Sequence, residues 1–275
     1  MTDLEVRVLN DDRRPGSGVS RSWRAASSAA VAAALALIPL TACSSDSEPS
    51  PTTGTTTAPV ETTTEDAGQA IENGLYYYPP VEGATLRYQN SGGTGASTLD
   101  VTVTSVTSSG DGQTVAVTEV VGSDAGQPVT IERTLQTGAD GSLRLNAGTF
   151  GAFGPNFEVT AEGDDIVIPS VADLQAGKQS SGSTFVEMSG SGMTMRTDMT
   201  YTVTGVGWES VTVPAGTVEA YLVEIQFEGT NSVMGAVTAR GRYWFVPEFG
   251  LVRQEFSIAM MSGTTELVSS SVPLR

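Results

Sequence analysis

The stretch MTMRTDMTYTV, residues 193–203, alternates strictly. Its odd positions read Met193, Met195, Thr197, Met199, Tyr201 and Val203, and its even positions read Thr, Arg, Asp, Thr and Thr. Successive side chains of an extended chain point to opposite faces, so this pattern specifies a long β-strand with one buried and one wet side. Tyr221, Val223, Ile225 and Phe227 repeat the period and are expected to face the same interior. Leu99, Val101 and Val103 do likewise, as do Val129, Ile131 and Leu135, where Arg133 breaks the apolar set.

Working outward, turn chemistry separates the runs. Asp111-Gly112 and Asp140-Gly141 are tight hairpin dipeptides, because both central residues tolerate positive φ there. Beyond residue 75 no sustained helical period occurs; Ser170–Ala176 is the best short candidate, with Ser170 as its cap. The expected class is therefore all-β, one large curved antiparallel sheet of roughly ten strands. It reads as a half-barrel, or as barrel- or sandwich-like, with at most one or two short helices. A sheet that large with one apolar face must close, pack on a second layer, or hold something in its concave side.

Composition removes several functions. Fourteen basic against 31 acidic residues give a formal charge of −17, which disfavours nucleic-acid partners. Histidine is absent and cysteine occurs once, at Cys43, so intrachain disulfides, Cys/His metal sites and imidazole-based mechanisms are ruled out. Met193, Met195 and Met199 share a face, with Met188, Met234, Met260 and Met261 on nearby runs. Thioethers suit Cu(I), but without histidine support they read as core or as a pliable lining for an apolar ligand. Asp164-Asp165 suits a turn before a strand better than a catalytic pair. No cofactor and no enzyme activity are expected.

The amino-terminal segment is an address. Five arginines in residues 1–24 precede a sixteen-residue apolar run, Ala25–Leu40, too short and interrupted to span a membrane comfortably. Leu40-Thr41-Ala42-Cys43 resembles the lipobox of bacterial lipoproteins. The resemblance implies that residues 1–42 are a signal peptide and that Cys43 carries diacylglycerol. It further implies palmitate-type acylation and a place at the outer face of the cytoplasmic membrane. Arg13-Arg14 leaves a twin-arginine route open, though the Pro15-Gly16 that follows favours the general secretory one. Residues 43–73, rich in Ser, Thr and Pro, read as a disordered tether spanning roughly 30 Å. Residues 74–275 then form a single extracytoplasmic domain.

Two further stretches carry a resemblance. Tyr76-Tyr77-Tyr78-Pro79-Pro80 opens into a first strand, and VTVPAGTVEAYLVEI (211–225) precedes RYWFVPEFGLVRQE (242–255). Together they resemble the TapB-like group of uncharacterised envelope proteins, which implies a β-rich exported domain and no established site residues. By architecture alone the expected sheet also resembles the half-barrel lipoprotein carriers of the LolA type.

The functional expectation is a lipid-anchored binder of an apolar envelope ligand such as a lipid. Its candidate face comprises Met193, Met195, Met199, Tyr201, Tyr221, Val223, Ile225 and Phe227. The alternative is a structural or partner-binding lipoprotein with a filled core, and a glycan hydrolase is a more distant third.

Overall fold

The computed structural model describes residues 70–92, 97–123, 128–146, 158–190, 193–233, 235–258 and 261–274. The expected signal peptide, Cys43 and the expected tether up to residue 69 lie outside them. Thirteen strands form one antiparallel sheet, rather than about ten. They are β1 (Thr85–Gly92), β2 (Ser97–Ser109), β3 (Gly112–Ser123), β4 (Val129–Gly138), β5 (Leu143–Leu145), β6 (Glu158–Gly163) and β7 (Ile166–Ile168). After helix α1 (Val171–Gln175) come β8 (Ser180–Gly190), β9 (Met193–Val213), β10 (Gly216–Asn231), β11 (Gly235–Val246), β12 (Gly250–Ile258) and β13 (Met261–Ser270).

The ladder runs β6-β8-β9-β10-β11-β12-β13-β1-β2-β3-β4-β5-β7 and does not close. Its two edge strands are nevertheless neighbours in sequence, joined by Asp164-Asp165, where a turn was expected. Here the Asp164 amide donates to Ser183 O (3.0 Å), and the Tyr201 hydroxyl donates to Asp165 O (2.6 Å). Ser180 Oγ donates to Val167 O, drawing β7 against β8. The sheet is thus rolled until its edges meet through side chains and a turn. Helix α1 starts where predicted, with the Ser170 hydroxyl accepting from the Asp173 amide, and it buries Val171 and Leu174.

Strand register defines two ends. Hairpins leave the sheet at 92/97, 123/129, 190/193, 231/235 and 258/261 on one side, which we term the mouth. Those at 109/112, 138/143, 213/216 and 246/250 lie at the other, the floor. The floor is filled core: Leu143, Leu145, Ile166, Ile168, Ile225 and Phe245 are fully buried.

The tyrosine–proline segment leads into β1, as expected, and also forms a strap inside the floor. The Leu75 amide donates to Gly141 O (3.0 Å), and Thr137 Oγ1 donates to Leu75 O (2.7 Å). On the far side the Glu248 amide donates to Gly74 O (3.0 Å) and the Leu251 amide to Tyr77 O (3.1 Å). Ordered packing already includes Ala70 and Ile71, ahead of the expected boundary at residue 73.

The motif RYWFVPEFG resolves into two faces. Tyr243 and Phe245 point inward, and Trp244 faces outward between Arg242 and Arg253, whose guanidinium carbons lie 4.7 and 5.2 Å from its ring centre. The Trp244 indole donates to Glu209 Oε2 (3.0 Å). A planar cation over an aromatic face is attractive, so two arginines cover the indole without an apolar layer.

Candidate functional site

The expected apolar residues that β9 and β10 pair together sit in matching register. Tyr201 pairs with Phe227, Val203 with Ile225, and Met199 with Gly229, so the two runs share the inner side of the sheet. Their depths differ. Tyr201, Tyr221, Val223 and Ile225 are buried in the floor. Met195, Met199 and Phe227 are half-buried towards the mouth, and the backbone of Met193 continues that period opposite Gly190. Val237, Ala239, Phe256 and Ile258 extend the half-buried apolar wall across β11 and β12. Phe256 can lie flat because its neighbour on β13 is Gly263, where a Cβ would come within 2.4 Å of the ring.

The same inner face continues across β12, β13, β1 and β2 into a second wall that the sequence did not announce. Gln254 on β12, Thr265 on β13, Asn90 on β1 and Ser97 on β2 follow one another in register across four strands. Thr265 Oγ1 donates to Asn90 Oδ1 (2.7 Å), and Asn90 Nδ2 donates to Ser97 Oγ (3.1 Å). Every member is uncharged, and Gln254, Thr265 and Asn90 are half-buried. No local signal marks this row, because its members are scattered over more than 170 residues and only the ladder unites them.

Between mouth and floor runs a polar belt. The Tyr78 hydroxyl donates to Glu119 Oε1 (2.7 Å), and Arg133 Nε donates to Glu119 Oε2 (2.7 Å). The Tyr77 hydroxyl donates to Gln254 Oε1 (3.1 Å), and that of Tyr88 to Leu251 O (2.8 Å). Tyr76 bonds Gln113 lower down. The belt explains why Arg133 interrupts its apolar run: on β4 it neutralises the one buried carboxylate of β3. Burial, and then the Glu119 carboxylate, push the Tyr77 and Tyr78 phenols far above their ordinary range. Burial does the same to Tyr88 and Tyr243. These phenols remain hydrogen-bond donors at any physiological pH.

The outer face carries a groove of about 330 Å³ over β6, β8, β9 and β10, lined by Glu162, Ser183, Phe185, Asp198, Thr200 and Glu228. Arg196 stacks over Phe185, 3.7 Å from its ring centre, and pairs with Asp198 at 2.8 Å. By register this groove opens on the opposite side of the sheet from the expected ligand face, although Met199 also borders it.

The fold of this open antiparallel sheet is one that solved structures share. A protein from Parabacteroides distasonis, assigned as a lipoprotein, superposes with a TM-score of 0.57 at 19% identity, covering 74% of this chain and all of its own. A protein from Bacteroides fragilis, assigned as an exported protein with a YmcC-like fold, gives 0.55 at 15% identity, covering 72% of this chain and all of its own. The model of the DUF3108-like family matches residues 82–267, and the chain belongs to that family. No curated protein matches the chain.

Proposed function

We propose that this protein is an exported envelope lipoprotein, tethered through an acylated Cys43, whose sheet receives an apolar ligand such as a lipid chain at its mouth. The observation that carries the reading is the difference in depth along one face. The same alternating residues that are sealed in the floor become half-exposed towards the mouth, at Met195, Met199 and Phe227. Flexible, polarizable methionines suit a surface that must repack around variable chains. The anchor is supported by the lipobox at residues 40–43, by the TapB-like motifs and by the descriptions of the structural neighbours.

The filled floor favours a second reading, in which the domain is a closed scaffold for a protein partner. Native mass spectrometry of the domain separates the two: the first reading expects co-purifying lipid, and Met195→Trp should block its uptake with the fold retained. If Met195→Trp unfolds the domain and wild type never carries lipid, the face is ordinary core. Cys43→Ala should leave the protein unprocessed or release it from membranes; a variant still cleaved, acylated and membrane-bound would remove the anchor from the proposal.

A further inference from the structure

The two walls of the mouth differ in chemistry, and that difference selects a ligand class. On one side stand Met195, Met199, Phe227, Val237 and Ile258, able to shed water against an alkyl chain. On the other, the Gln254–Thr265–Asn90–Ser97 row offers amide and hydroxyl groups only. Beneath them the belt adds the Tyr77 hydroxyl, which donates to Gln254 Oε1 at 3.1 Å. The charged residues of the belt, Glu119 and Arg133, are already paired with each other at 2.7 Å.

We infer, building on the mouth reading above, that the ligand is an amphiphile with an uncharged polar head, its chain against the methionine wall and its hydroxyl, ester or amide groups against the Gln254–Ser97 row. An anionic head would enter beside the Glu119 carboxylate of a chain with a formal charge of −17, and would have to compete for a guanidinium that Glu119 holds. A cationic head would find Arg133 beside it and would strand its charge in a low-dielectric concavity. A neutral head loses no Coulombic energy in either respect. It can also exchange its water hydrogen bonds for those of four half-buried or buried polar side chains.

The test uses the full chain carrying Cys43→Ala, with probes of one chain length below their micellar concentrations: monolauroylglycerol, laurate and dodecyltrimethylammonium. Titration calorimetry should show monolauroylglycerol binding at least about tenfold more tightly than either ionic probe. The double variant Asn90→Leu/Gln254→Leu should lose most of that preference while its circular dichroism stays native. Should that variant unfold, Thr265→Val, which keeps side-chain volume, takes its place with the same expectation. Equal affinities for all three probes, or laurate binding tightest, would overturn the head-group inference and leave the apolar mouth standing. Binding of no probe at all would overturn the mouth reading itself.

Discussion

Glu119 and Arg133 lie on neighbouring strands of the inner face, their carboxylate and guanidinium 2.7 Å apart, with side chains only 6% and 13% exposed. Removing one partner of such a pair leaves an uncompensated buried charge, which costs about 3–5 kcal/mol. Arg133→Met should therefore lower stability by that amount in urea denaturation. Adding Glu119→Gln should restore most of it, because a neutral amide can still accept from Tyr78. If Arg133→Met is neutral, the pair is solvated and the belt as described is wrong.

The strap makes a prediction about where the folding unit begins. A chain starting at Ala70 should melt like the full-length protein. A chain starting at Pro79 forfeits Leu75, Tyr76 and Tyr78, all buried, at about 1.5–3 kcal/mol each. That sum is comparable to the whole stability of an ordinary domain, so the shorter chain should fail to give a cooperative transition.

Alkaline pH should unfold the domain. The Tyr77, Tyr78, Tyr88 and Tyr243 phenols are raised in the folded state, chiefly by burial, so the folded state holds protons that the unfolded state releases near pH 10. Stability from these groups is fully present below about pH 10 and is lost progressively as pH rises above it. Ultraviolet titration should show these tyrosines ionising together with loss of circular dichroism. Phenols that titrate near pH 10 in a domain that stays folded would contradict their burial.

Gly241 lies beneath the ring of Tyr243, where a Cβ would come within 2.5 Å of the ring edge. Gly241→Val should cost about 1–3 kcal/mol through overpacking. Ala239→Val, two residues on along the same face and half-exposed at the mouth, should change stability by less than about 0.5 kcal/mol. Thermal melts of the two variants side by side would test whether depth along β11 separates floor from mouth.

The alternation in 193–203 and 221–227 was enough to define the class of fold and the common face of both runs, because period two leaves a strand no other way to bury Tyr201 and Ile225. Ser170 as a cap was equally local and readable. The Asp-Gly dipeptides do mark chain reversals, but Asp111 and Asp140 keep negative φ and Gly112 already opens β3. The three-residue strands β5 and β7 were not, since Leu143–Leu145 and Ile166–Ile168 are too short to show a period. Arg133 was visible as a break in its strand, but its partner depends on the register of the β3–β4 hairpin. Likewise Tyr76-Tyr77-Tyr78 read as apolar aromatic residues near a strand; only the rolled sheet gives them an interior to occupy. The polar row lies beyond sequence reasoning for the same cause: Asn90 and Gln254 become neighbours only after β13 and β1 pair.

The placement of Asp164-Asp165 between the two edge strands has a consequence for assembly. An unpaired strand edge is a template on which another chain can add, and long flat edges nucleate aggregation. Here the terminal strands offer three residues on β7 and six on β6, and both are pinned beside the same bend. The templates these two terminal strands present are therefore short, and they diverge at a pair of carboxylates. At that bend, among the described residues, a second molecule would find little backbone on which to add a strand.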